Sequence, residues 1–216
     1  QVILDRIPGR DALLARIREI DDATPATVSA VQRDERGGLY YLKREAKDNQ
    51  FKLYRRASPD AAEILLVDPE AESKAAGTPH AINGFTPSPD GRRVAFAMAA
   101  GGAEIGVLRV IDVGTREEVT PRIDRVRFGQ VGWLPDGSGF FHGRLAEGYE
   151  KRPRAERFLD VNTYLRRLED PAADVPVFGP GLFPEVAIER SAGGAVFVLP
   201  QGDVVAAMVY HGVDRN

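Results

Sequence analysis

The chain has 216 residues, 28% charged and 43% apolar, with a formal net charge of -3; this is the composition of a folded globular chain, long enough to bury a core without staples. So small a charge leaves no concentrated basic surface, which excludes nucleic acid and anionic membrane as expected partners. Cysteine is absent, which excludes disulfides, thiolate nucleophiles and Cys-ligated metals, and no apolar run reaches the roughly 18 residues of a membrane span.

The first predicted element is a helix in a segment spanning residues 1–25. Pro8 and Asp11 suit a first turn, Leu13, Leu14, Ile17 and Ile20 recur at helical spacing, and Pro25 stops the run. Its apolar stripe needs cover, expected from its own domain; the competing arrangement is docking on a domain outside this chain. From Ala26 the apolar period changes to about 2, with short β-branched and aromatic runs between Gly, Pro, Asp and Asn. No further helix is expected.

These runs repeat. Pro89-Asp90-Gly91 precedes Val94-Ala95-Phe96, and Pro135-Asp136-Gly137 precedes Phe140-Phe141. Gly37-Gly38 before Leu39-Tyr40-Tyr41 and Pro200-Gln201-Gly202 before Val204-Val205-Ala206 are looser copies. With Leu39, Val94, Phe140 and Val205 as equivalent positions the intervals are 55, 46 and 65 residues, near the roughly 40–50 of a propeller blade once insertions are allowed. In the Ser-Pro-Asp-Gly turn Pro89 presets φ, Asp90 bonds its own backbone and Gly91 takes the positive-φ position, so the chain must reverse.

In the second copy the strands are expected at Ile82–Phe85, Arg93–Met98, Glu104–Ile111 and Glu117–Thr120. The fold expected is all-β: about three complete four-stranded antiparallel blades near 26–69, 80–121 and 125–178, plus the start of a fourth at 195–216, behind a short N-terminal helix. The third copy carries the longest insertion, Leu145 to Phe158, with a basic cluster at Lys151-Arg152-Pro153-Arg154. Glu147, Glu150 and Glu156 flank that cluster, so a solvated loop tip is expected rather than a nucleic-acid site.

Catalytic chemistry is sought in vain. A serine hydrolase of the α/β type needs Gly-x-Ser-x-Gly at a strand-to-helix turn, and Ser138 in Gly137-Ser138-Gly139 sits instead in a hairpin turn. His80, His142 and His211 fall in three different copies without metal-ligand spacing, so no metal or cofactor is expected and each His reads as a polar loop or strand-end residue. Gly101-Gly102 lacks the Lys-Ser/Thr of a phosphate loop. The chain opens on Gln1 rather than Met, as expected of a cut inside a longer polypeptide, so the missing signal-peptide pattern leaves the compartment open.

At these repeats the sequence resembles the propeller domain of the prolyl oligopeptidase family of serine peptidases. The resemblance is carried by Ile7-Pro8-Gly9-Arg10, Asn49-Gln50 before Leu53-Tyr54, Leu66-Val67-Asp68-Pro69, Pro87-Ser88-Pro89-Asp90-Gly91, and Asp124-Arg125-Val126-Arg127-Phe128 followed by Trp133 and Pro135-Asp136-Gly137. His211-Gly212-Val213 resembles bacterial members, which implies bacterial cytoplasm or periplasm.

The resemblance implies a seven-bladed propeller of which this is the first half, capping a separate α/β-hydrolase domain that carries Ser, Asp and His and admitting short peptides but not folded proteins. It implies no catalytic residue here and two substrate-binding positions. Phe128, in the Val126-Arg127-Phe128 match, would be apolar wall for an upstream substrate side chain, against the alternative of ordinary blade core. Glu104, ahead of a third strand, would face the domain interface, although its surroundings depart from the family's Ser-Asp-Trp pattern. Implied partners are the hydrolase domain, the remaining blades and short peptides; independently, the apolar run from Val204 to Tyr210 in the broken blade is expected to pair with a second copy. A stand-alone binding propeller is the reading from another class; the N-terminal helix favours the peptidase, because a binding propeller has no need of it.

Overall fold

The computed structural model describes residues 7–170, 173–199 and 204–210. Helix α1 (Arg10–Asp22) comes first. Strands β1 (Ala26–Arg33), β2 (Leu39–Glu45), β3 (Lys52–Arg56) and β4 (Ile64–Val67) follow, then helix α2 (Pro69–Ala76). The chain continues through β5 (His80–Pro87), β6 (Arg93–Ala100), β7 (Ile105–Asp112) and β8 (Ile123–Arg127), and then β9 (Val131–Trp133), β10 (Gly139–Arg144), β11 (Asn162–Arg167) and β12 (Asp174–Phe178). The last pair is β13 (Gly193–Val198) and β14 (Val205–Tyr210).

Among the described residues these strands make three four-stranded sheets in sequence order, β1 to β4, β5 to β8 and β9 to β12, and a two-stranded sheet of β13 and β14. All pairings are antiparallel. The first three sheets are four-stranded meanders, neighbouring sheets pack on one another, and the chain is a partial β-propeller.

The cores lie between sheets. Tyr40, Leu42 and Leu53 of the first blade meet Phe85, Val94, Phe96 and Met98 of the second in one apolar cluster, while Ala95, Leu108, Val110, Ile123 and Val126 of the second meet Trp133 and Phe140 of the third in another. Strand β6 explains the arrangement: Val94 to Ala99 are all buried because both faces are covered, and alternation sends Val94, Phe96 and Met98 to one interface and the alanines to the other. Polar ties cross the same interfaces. The Tyr40 hydroxyl donates to the Gly91 carbonyl at 3.1 Å, and burial, countered by Arg55, pushes its phenol up to about 12, so it stays a donor. Arg93 donates to the Gly137 carbonyl at 3.0 Å, and Trp133 Nε1 to the Thr86 carbonyl at 3.1 Å.

Three expectations need correction. The fourth strand of the second blade is not Glu117–Thr120, where only an isolated Ile111–Glu118 bridge forms, but Ile123–Arg127; the sheet runs past residue 121 into the region assigned to the next blade. A second helix exists. Asp68 caps α2 by accepting from the Glu70 amide at 2.9 Å, Pro69 begins it, and Gly77 closes it at a φ of 67°. Finally, the described residues leave most of the stripe of α1 uncovered: Leu13, Ile17 and Ile20 are 62%, 52% and 56% exposed, with Leu14 half-buried, and none of the described strands makes an extensive contact with that helix.

Candidate functional site: an aromatic and ionic cluster at a cavity mouth

The site begins where β8 ends. Val126 is buried in the interface with the third blade, and the backbone then turns through two left-handed residues, Phe128 and Gly129, both at a φ of 64°. Gly129 presses on β6, where a Cβ would lie 2.7 Å from the Ala97 amide nitrogen. Phe128 is thereby lifted outward and is 46% exposed. It is not blade core.

Glu104 leads into β7, hydrogen-bonded to β8. Its carboxylate accepts from Arg127 Nε and NH2 at 3.2 and 2.8 Å, so the two sequence-predicted residues, Glu104 and Phe128, are brought together through Arg127. The Arg127 guanidinium carbon lies 4.6 Å from the centre of the Phe128 ring and 4.9 Å from that of Phe158, which is cation–π distance for both. Phe158 is 42% exposed and ends the long insertion.

Arg127, Phe128 and Phe158 stand on the wall of a cavity of about 640 Å³ that runs between the third blade and the β13–β14 sheet. Leu145, Val161, Thr163 and Val196 continue the lining. The insertion is tied down at its far end. Asp160, itself at a φ of 61°, accepts two 2.8 Å bonds from Arg190 and one of 3.0 Å from Arg152; the Arg190 bonds hold its carboxyl below the usual carboxylate range against the opposing pull of burial. Arg152 of the basic cluster is thus spent inside the protein, as its bond to the Leu159 carbonyl also shows.

One histidine departs from the sequence reading. His142 is a buried strand residue, 1% exposed, with Nε2 on Asp174 at 3.1 Å and Nδ1 without a hydrogen-bond partner in the structure. Asp174 also accepts from Arg166 Nε at 2.6 Å, and Arg166 crosses to the Thr120 hydroxyl and Pro121 carbonyl of the second blade at 3.0 and 3.2 Å. Burial raises the Asp174 carboxyl, but the bonds from His142 and Arg166 outweigh it and hold the group well below the usual range. An orienting carboxylate for His142 therefore exists, yet both side chains are buried, at 0% and 9% exposure.

Ser138 is engaged with Asp136 Oδ1 through both amide and hydroxyl, at 2.9 and 2.7 Å, a turn role. His80 Nδ1 bonds the Thr78 carbonyl at 2.8 Å, and His211 lies outside the described residues. Among the described residues no three potential ligands converge on a metal position. Sequence reasoning missed Phe158, Arg127 as the hub, and Asp174. An aromatic closing a charged insertion was the available signal for the first; the other two are joined to their partners only by tertiary packing.

Fold and site define a class: a chain of β-propeller blades with an aromatic, ionically tied wall at the mouth of an inter-blade cavity. Residues 1–199 match the family described as prolyl oligopeptidase, N-terminal β-propeller domain. A prolyl endopeptidase of Elizabethkingia meningoseptica is 28% identical over 142 residues, 66% of this chain and 19% of the relative; one of Elizabethkingia miricola is 28% identical over 103 residues, 48% and 14%.

Among solved structures, one from an analysis of two prolyl endopeptidases and their inter-domain dynamics superposes with a TM-score of 0.78 at 26% identity, over 96% of this chain and 29% of that one. Prolyl oligopeptidase B of Galerina marginata, bound to a 35-residue substrate, reaches 0.72 at 17% identity over 97% and 31%, a likeness of fold. The chain spans 19% or less of those curated relatives and under a third of those structures. It belongs to the prolyl oligopeptidase family, and its blades fall within that family's N-terminal β-propeller domain.

Proposed function

We propose that this chain is the gate and part of the substrate wall of a serine peptidase of the prolyl oligopeptidase type. Short peptides pass the propeller to a hydrolase domain carried outside this sequence, and folded proteins do not. Phe128 supplies apolar wall to an upstream substrate side chain, and Glu104 lies on the face turned toward that domain. The supporting observation is that Phe128 stands 46% exposed on the wall of a cavity instead of filling a blade core. The relatives named prolyl endopeptidases agree with the reading.

The chain itself contributes no serine in a nucleophile turn, so chemistry in this proposal belongs to the rest of the polypeptide. The test is to express the product of the complete gene, treat it with a serine-reactive fluorophosphonate probe, and assay peptides of increasing length together with a folded protein. Stoichiometric labelling, turnover of short peptides and resistance of the folded protein are expected. An unlabelled product without turnover would instead make this a stand-alone binding propeller.

A further inference from the structure

Arg127 occupies an unusual position for a surface cation. Its guanidinium stands over two aromatic rings, 4.6 Å from Phe128 and 4.9 Å from Phe158, while Nε and NH2 are bound to the Glu104 carboxylate at 3.2 and 2.8 Å. Three segments meet on this one side chain: the β6–β7 hairpin, the end of β8 and the end of the long insertion.

The ion pair does not account for the arrangement by its own energy. Arg127 and Glu104 side chains are 44% and 59% exposed, and pairs so open to water contribute little to stability. What the pair does supply is orientation. With its edge held by Glu104, the guanidinium is turned so that it lies over both rings, which a compact ammonium cannot do. Both rings line the cavity, and Phe128 is held outward by a left-handed backbone. Loss of the guanidinium would remove its contact with both rings, and the cavity wall would relax.

We propose that Arg127 is a positioning residue that sets the spacing of the Phe128 and Phe158 rings, and thereby determines which side chain upstream of the scissile bond the peptidase prefers. The inference rests on the reading of Phe128 as substrate wall. A planar guanidinium with Glu104 at its edge fixes two apolar plates, and the side chain that fits them is bulky and apolar. Phe158 joins Phe128 as part of that wall.

The experiment uses the product of the complete gene, with R127A, R127K, E104Q and F128A variants, and matched peptides carrying either Leu or Ala upstream. A shorter peptide lacking that residue reports the chemistry alone. Expected for R127A and R127K is a rise in KM of about threefold or more on the Leu peptide, little change on the Ala peptide, and kcat on the short peptide unchanged within about twofold; F128A should raise KM on the Leu peptide at least as much. E104Q should lie between these and the parent.

The R127K variant decides if R127A fails to fold, since it keeps the charge and a partner for Glu104. Parent-like discrimination in R127K, or an effect of F128A with none in either Arg127 variant, overturns the positioning role while leaving the wall reading intact. No effect of F128A sinks both.

Discussion

Phe128 adopts a φ of 64°, a conformation that costs a bulky L-residue about 1–3 kcal/mol and persists only where the surroundings impose it. Here the imposition comes from Gly129 against Ala97 and from the strand pairing of Arg127 with Ile105. Because the ring is outside the apolar clusters, Phe128→Ala in the complete enzyme should lower kcat/KM for longer peptides by an amount equivalent to about 1–3 kcal/mol and leave the melting temperature nearly unchanged. Unaltered peptide kinetics beside a large fall in Tm would show a packing role only.

Asp174 makes a second residue-scale prediction. Its side chain is 9% exposed and neutralises Arg166 at 6%, so Asp174→Ala should destabilise by about 3–5 kcal/mol, the range for orphaning a buried charge. The sign of the pH effect follows from the depressed carboxyl. A folded-state value below the unfolded one, about 3.9, gives stability that is present above that value and lost as pH falls below it toward the folded one. Denaturation midpoints should therefore drop below about pH 4 in the parent, and the Asp174→Asn variant should show a shallower drop; an identical acid profile would remove Asp174 from the account.

At the scale of elements, the unclaimed surfaces are α1 and β14. Leu13, Ile17 and Ile20 are more than half exposed, so replacing all three with Gln should leave the unfolding midpoint of this chain unchanged, whereas it should weaken the product of the complete gene if the helix docks on its hydrolase domain. A fall in the midpoint of the isolated chain would mean that the stripe is covered from within. Among the described residues strand β14 pairs only with β13, and Val204, Val205, Met208 and Tyr210 are 54%, 57%, 42% and 51% exposed. An apolar strand with one free edge recruits another chain, so sedimentation should find self-association rising with concentration; a monomer at high concentration would count against it.

The blades themselves were legible because turn chemistry is local: Pro89-Asp90-Gly91 and Pro135-Asp136-Gly137 must reverse wherever they occur. The fourth strand of the second blade was misread for an equally definite reason. The register shift between Gly106 and Leu108 breaks the alternation, so Ile123 and Val126 face the same core although three residues apart, and a period of two cannot find them. Helix α2 was missed because eight residues give little periodicity, although its Asp68-Pro69 start and Gly77 stop stood in the sequence.

For the molecule as a whole the prediction is that this chain alone hydrolyses no peptide. Acyl transfer needs an exposed nucleophile, a base and an oxyanion site together; Ser138 is bound to Asp136 in a turn, and the His142–Asp174 pair is buried between blades. Purified chain should neither turn over a fluorogenic Gly-Pro peptide nor take up a fluorophosphonate label, and stoichiometric labelling with turnover would overturn this. By itself the sequence determined the repeat, the antiparallel blades, the N-terminal helix and the absence of a nucleophile turn, because each depends on contacts between residues near in the chain. Only the tertiary structure decided that Arg127 would join Glu104, Phe128 and Phe158, and that Asp174 would neutralise Arg166 and orient His142. Those partners are separated by up to 32 residues, and an ion pair or a ring stack between distant segments leaves no periodic trace in either of them.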